Sequence, residues 1–272
     1  MQSVNVKSWE EFQQKLDELV KDHSTRKKET LRHISDLLFR GQGDASWQLT
    51  TTLERYAETT LDVNDYYRAI SAAKPQIESY TDQRWEIITP PDYAKFLEKQ
   101  ELGLFKFPAY EFMVYLRHNG FPSPLLDWSR SPFVAAFFAF RHASVSTPHV
   151  SIYAYLEYAG KGKSFSSASP HILSQGPYIR SHRRHYQQQC EYTICLAKSG
   201  AELVYTCHEK AFASTYSDQD LLWKFNIPSS EKLKVLRTLD SYNLNSFSLF
   251  GSEESLVETL AVREILFRNK RS

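Results

Sequence analysis

The chain changes its hydrophobic period near residue 149, and that switch limits what it can fold into. Upstream, apolar residues recur at helical spacing, as in "SWEEFQQKLDEL" (8–19), where Phe12, Leu16 and Leu19 share one face and Ser8 and Glu11 suit a capping box. Further helical patterns are predicted around 62–80 and 92–101, in "PAYEFMVYLRHNG" (108–120), and in "SPFVAAFFAFRHA" (131–143), with Ser131 as cap and Pro132 in the first turn. Downstream, "HVSIYAYLE", "EYTICLA", "ELVYTCH" and "LLWKFNIP" carry the β-branched and aromatic residues of strands. Two helices are predicted near 229–240 and 252–268, the second capped by Ser252 in "SLFGSEESL". The expected fold class is α+β, one domain over 1–272, with a helical N-terminal half and a strand-rich second half. Two departures from this division are expected: "HISDLLFRG" (33–41) reads as a short buried strand leading into a turn, and "KDHSTRKKET" (21–30) as a polar loop.

Bulk properties exclude several classes. The net charge is +1, so the chain is no uniformly basic nucleic-acid coat, and polyanion contact must come from a local cluster. The longest apolar run, "FVAAFFAF", is far too short to span a bilayer, and the N-terminus lacks the apolar run of a signal peptide. The 3 cysteines, Cys190, Cys195 and Cys207, form no ligand spacing, so neither a disulfide framework nor a metal site is expected, and a reducing cytoplasm suits them. No phosphate-binding G-x-x-x-x-G-K-[ST] loop, HExxH or G-x-S-x-G elbow is present.

Three stretches are chemically unusual for their setting. In "LLFRGQGDASWQL" (37–49) an arginine ends an apolar strand and is followed by Gly-Gln-Gly, which pairs a rigid fork of donors with exposed backbone and suits a phosphate. The plainer reading is a turn in which Arg40 is salt-bridged to an acid such as Asp44. In "PLLDWSRSPF", Asp127 and Ser129 lie at a strand-to-helix junction, where side chains point into clefts; alternatively Asp127 only caps the helix. The segment 178–187 holds Arg180, Arg183, Arg184, His182, His185, Tyr178 and Tyr186, a basic and aromatic mixture that suits single-stranded nucleic acid or is simply a solvated loop.

Together these stretches resemble the FRG domain, named after its Phe-Arg-Gly motif, here Phe39-Arg40-Gly41. The resemblance continues in "RGQGDASWQLTTTLER", "RHNGFPSPLLDWSRSPFVAAFFA", "YQQQCEYTI", "LLWKFNIPSS" and "SLFGSEESL", in the family's order across nearly the whole chain. It departs from the family at Ser123-Pro124 and Thr51. The FRG domain in turn resembles the ADP-ribosyltransferase fold, a split β-sheet clamp that binds NAD. That likeness implies Arg40 on the NAD phosphates, Gly41 at the nicotinamide with Gln42 beside it, Ser129 at the ribose, and Asp127 in the same motif. Gln189-Cys190-Glu191 matches the motif that places a catalytic acid, Glu191, at a strand start, with Gln189 on the same strand face positioning the acceptor. Many FRG domains carry a small or apolar residue where this chain has Glu191. Chemically, cleavage of the nicotinamide–ribose bond leaves an oxocarbenium-like ribose, which a carboxylate stabilises. The resemblance further implies a toxin-like effector of bacterial phage defence with a neutralising antitoxin. Its acceptor would be RNA or protein, read by Arg180, Arg183, Arg184 and Tyr186. Two other expectations stand beside it: a non-catalytic FRG module that binds RNA or a partner, and a nuclease using the His-rich segment.

Overall fold

A computed structural model describes residues 1–57, 61–99, 107–144, 146–160, 163, 170–176, 183–212 and 219–268. It opens on a strand with no sequence signal, β1 (Gln2–Asn5), followed by helix α1 (Trp9–Glu29). The Ser8 hydroxyl accepts from the Glu11 N–H, while the Glu11 carboxylate reaches the Lys7 N–H instead of closing the expected box. The segment 21–30, expected as a loop, continues α1 to Glu29. Arg26, Lys27 and Lys28 fall in its last turn, where cations meet the negative end of the helix dipole, and Arg26 pairs with Asp22 one turn back at 2.9 Å.

Strand β2 (Leu38–Gln42) runs through the Phe-Arg-Gly motif rather than ending at it, because its pairing with a later strand extends to Gln42. Helices α2 (Thr52–Tyr56), α3 (Val63–Thr81), α4 (Pro90–Lys99) and α5 (Tyr110–His118) follow. Strand β3 (Leu126–Ser129) leads into α6 (Pro132–Arg141), whose first turn is capped by Ser131 and opened by Pro132 as expected. The second half supplies β4 (His149–Tyr158), β5 (His171–Ser174), α7 (Arg183–Gln187), β6 (Cys190–Ser199), β7 (Glu202–Tyr205), α8 (His208–Phe212) and β8 (Gln219–Pro228). Three helices close it: α9 (Lys232–Ser241), α10 (Ser246–Phe250) and α11 (Glu253–Ala261).

The result is a mixed α/β architecture around one eight-stranded sheet, in the order β1-β8-β4-β2-β3-β6-β5, with β7 also on β6. Only the β1–β8 pairing is parallel among the described strands. One apolar cluster packs α1, α6 and α9 on β2, β4 and β8 through Trp9, Phe12, Phe140, Ile152 and Phe225. A second packs α3, α4 and α5 against β6 through Tyr66, Tyr67, Phe112, Tyr192 and Ile194. A third, with Leu38, Trp128, Tyr155 and Phe212, covers another part of the sheet.

Helix α6 lies unusually close to β2, and the motif glycine is the reason it can. A Cβ built on Gly41 falls 1.8 Å from the Ala135 carbonyl oxygen and 2.7 Å from the Ala139 nitrogen. Both atoms are helix backbone, so neither can swing aside. The facing helix positions are alanines too, Ala135, Ala136 and Ala139, all buried. Packing thus accounts for Gly41 independently of any ligand. Gly41→Ala is therefore expected to lower unfolding free energy by at least about 1–3 kcal/mol through overpacking. Urea unfolding checks this; an unchanged midpoint refutes the close-packing account.

Candidate functional site

The functional residues gather where the sheet is thinnest. Strands β2 and β3 are joined through one residue pair, Phe39 with Ser129. On either side of them the ladders are longer, five pairs between β2 and β4 and four between β3 and β6. Where β2 and β3 part, Arg40 fills the wedge, and its Nη1 donates to the Asp127 carbonyl oxygen at 2.8 Å. Asp127 also binds Arg117 from the last turn of α5, with Oδ2 2.5 Å from Nη2. The salt bridge to Asp44 does not form; Asp44 instead accepts from the Ser46 N–H and hydroxyl, an ordinary turn cap.

A cleft of about 990 Å³ opens over this junction. Its walls include Arg40, Arg55, Arg117 and Arg184, against a single carboxylate among the described residues, Asp127. Burial pushes the Arg40 guanidinium down to about 10, with Arg117 adding to the effect and Asp127 opposing it. It therefore still carries its charge at neutral pH. Burial likewise lowers Arg55, and Arg117 reinforces that shift. Among the buried polar atoms of cleft residues, Arg40 Nε, Gln42 Oε1, Arg117 Nε and Asp127 Oδ1 make no hydrogen bond within the protein. Buried polar atoms are rarely left so, and each calls for a physical explanation.

The other expected residues are placed as follows. Gln42 ties its Nε2 to the Gln48 carbonyl at 3.1 Å and so holds the loop after β2. The Ser129 hydroxyl donates to the Gln188 carbonyl at 2.8 Å and accepts from the Ser131 N–H at 3.0 Å, leaving it only acceptor capacity toward a ribose hydroxyl. Glu191 is buried opposite Trp128 on β6, but the β6 residue that lines the cleft is its neighbour Cys190, whose side chain points to the other face. The Glu191 carboxylate is held in an ion pair by Arg130. Gln189 does not share a strand face with Glu191: β6 begins at Cys190, and Gln189 sits in a turn with φ 49°.

In the expected acceptor loop, Arg180 lies outside the described residues. Arg183 donates to the Gly251 carbonyl at 3.0 Å, and Arg184 lies over the Phe250 ring with Cζ 5.6 Å from its centre. Both therefore brace α7 against α10. Tyr186 is 85% exposed and remains open to a partner. The cleft residues Trp47, Arg55 and Arg117 were assigned no role from the sequence, and His118 reads there as a core or surface histidine. Arg117 lies ten residues ahead of Asp127, in a helix whose end was readable at Asn119-Gly120, but nothing local marks it as a cleft residue.

His118, His185 and Cys190 offer ligand atoms within 4.8 Å of one another, a grouping the spacing of cysteines did not suggest. The Tyr192 hydroxyl lies among them, 2.7 Å from His118 Nε2 and 3.4 Å from His185 Nδ1, and burial pushes the Cys190 thiol up to about 12.

The match to known families now has a structural meaning. The family model described as FRG domain matches residues 35–147, the segment that supplies β2, α5, β3 and α6, and with them Arg40, Gly41, Arg117, Asp127 and Ser129. Residues 35–147 are thus similar to the FRG domain, and the cleft is built largely from that segment; Glu191 lies beyond it. Neither a curated protein nor a solved structure matches the chain.

Beneath the cleft, Trp128 Nε1 donates to the Thr193 hydroxyl at 2.8 Å, which is 2.8 Å from His208 Nε2. Burial, aided by the Arg40 charge, pushes His208 down to about 3. The unfolded imidazole takes up a proton near pH 6.5, whereas the folded one stays neutral far below that. Between those values the unfolded state binds more protons, so stability is lost as pH falls below about 6.5. From pH 7 to 5.5 this one residue should cost about 1 kcal/mol. Urea unfolding at the two pH values should show a smaller difference in His208→Gln than in the wild type; equal differences refute the assignment.

Proposed function

We propose that the protein binds NAD in this cleft and transfers its ADP-ribose moiety to an acceptor, with the β2–β3 junction acting as the hinge of a split-sheet clamp. The reading is carried by the four unpartnered buried atoms of Arg40, Gln42, Arg117 and Asp127, which converge on one arginine-walled cleft. A pyrophosphate would meet the unused donor of Arg40 and a second guanidinium from Arg55 or Arg117. Ser129 would accept from a ribose hydroxyl. NAD supplies the labile bond between nicotinamide and ribose; the protein must supply a carboxylate facing the charge that develops there. Two candidates stand near the cleft: Asp127 inside it, with Oδ1 unbonded, and Glu191 behind it, held by Arg130.

The wider setting of this proposal, a toxin-like effector of phage defence with a neutralising partner, rests on the family resemblance. The acceptor proposed is single-stranded RNA ahead of protein, supported by the exposed Tyr186 ring on the same short helix as the cleft residue Arg184. A second reading, an FRG module that binds without transferring, is favoured by one observation: Glu191 is neutralised by Arg130 rather than turned to the cleft.

Incubation with NAD labelled in its adenylate phosphate, together with RNA or cell extract, tests the proposal. Label is expected to enter RNA, and Arg40→Ala to reduce the transfer at least about tenfold, the usual effect of losing a charged hydrogen bond. Asp127→Asn and Glu191→Gln identify the carboxylate: the variant that abolishes transfer while retaining NAD binding is the acid. RNA binding with no turnover of NAD by the wild type supports the module; absence of NAD binding refutes the transferase.

A further inference from the structure

The loop between β2 and α2 presents one large aromatic side chain to solvent on a backbone that is otherwise tied down. Trp47 is 55% exposed, whereas Trp9 and Trp128 are buried and Trp85 and Trp223 pack against the apolar clusters. Its neighbours are fixed from several directions. The Ala45 N–H donates to the His149 carbonyl at 2.9 Å, and Lys224 Nζ donates to the Ala45 carbonyl at 2.6 Å. Gln42 holds the Gln48 carbonyl, Glu209 accepts from the Leu49 N–H at 3.0 Å, and the Tyr153 hydroxyl reaches the Trp47 carbonyl at 3.4 Å. Trp47 therefore sits on a rigid frame while most of its ring surface is in water, an arrangement that packing does not explain.

Its place on the cleft gives it a use. Trp47 lines the same cleft as Arg40 and Arg55, on the lip formed by residues 43–50. Arg55 belongs to that lip, with Nη1 donating to the Thr50 carbonyl at 2.7 Å. A flat π surface next to guanidinium groups suits a ligand with an aromatic base at one end and phosphate at the other. A fixed tryptophan also loses little rotamer freedom when it stacks.

We propose that Trp47 stacks on the purine base of the bound dinucleotide, so that the adenosine end lies at the 43–50 lip and the other nucleoside runs toward Ser129 and Cys190. This inference rests on the NAD reading of the cleft, and it gives the ligand a direction. Trp47 is a specificity-determining residue here, because it distinguishes a nucleotide from a bare diphosphate.

Calorimetric titration of wild type, Trp47→Ala, Trp47→Phe and Arg40→Ala with ADP and with inorganic pyrophosphate tests it. Trp47→Ala should weaken ADP binding by about 5- to 100-fold, the range for loss of one base–aromatic stack, with Trp47→Phe recovering most of it. Pyrophosphate affinity should fall in Arg40→Ala and stay level in Trp47→Ala. ADP should also quench the intrinsic fluorescence of the wild type more than that of Trp47→Phe. If Trp47→Ala binds ADP as well as the wild type while pyrophosphate binding persists, the stacking proposal is overturned and the anion cleft stands. If the wild type binds neither ligand, nor NAD, both the stack and the reading beneath it fail. Equal melting temperatures of wild type and Trp47→Ala ensure that a loss reports on the ligand rather than the fold.

Discussion

The single pairing of Phe39 with Ser129 is the constraint on which the rest of the site depends. A sheet that is fully laddered on both sides of a junction, but barely paired across it, leaves backbone polar groups that need other partners. Arg40 supplies one by crossing the wedge to the Asp127 carbonyl, and so replaces a missing ladder bond with a charged side chain. That substitution places a guanidinium inside the sheet plane, where burial makes its charge costly to hold. Asp127 offsets part of that cost, but its carboxylate is shared with Arg117. The junction therefore retains an excess of positive charge at its floor. On the proposed reading, an anion entering the cleft would offset that excess.

The same junction explains why the motif is Phe-Arg-Gly and not merely arginine on a strand. Alternation along β2 sends Phe39 and Gly41 to one face and Arg40 to the other. Phe39 anchors the α6 side of the sheet in the large apolar cluster, and Gly41 admits the α6 backbone so closely that no side chain fits. With its flanking residues so constrained, Arg40 cannot shift along the strand. The three residues do separate work, one packing, one binding and one making room.

Much of this was legible in the sequence, and the failures have physical causes. Ser131-Pro132, Ser252 and the 108–120 helix were readable because caps and breakers act locally. The α+β class followed from the change of period at 149. The 21–30 segment was misread because a run of charges resembles a loop until its i,i+4 and end-of-helix placement is known. Strand β1 was missed since "QSVN" pairs only through β8, over two hundred residues away. Of the residues that line the cleft, Arg40, Asp127 and Ser129 lie in the motif stretches and were singled out from the sequence. Arg55 and Arg117 belong to helices that reach the cleft by tertiary packing, which no local pattern announces. Glu191 was selected for its place in a short motif, yet what a carboxylate does depends on its partner, and Arg130 was not read as that partner.

The basic cluster at 180–187 carries the same lesson and extends the site. Read as sequence it is a patch of cations free to meet a polyanion. In the fold, Gln188 Nε2 donates to the Leu249 carbonyl at 3.0 Å, Arg183 to Gly251, and Arg184 covers Phe250. Gly251 is itself required there, with φ 64° and an added Cβ only 2.2 Å from the Arg183 guanidinium. The "SLFGSEESL" stretch and the basic segment are thus two halves of one wall, and both Arg184 and Phe250 face the cleft. Distant parts of the chain, the 37–49 strand and loop on one side and 183–188 with 249–251 on the other, meet over the β2–β3 junction. Helix α10 is therefore part of the cleft wall, through Phe250 itself and through its contacts with Arg184 and Gln188.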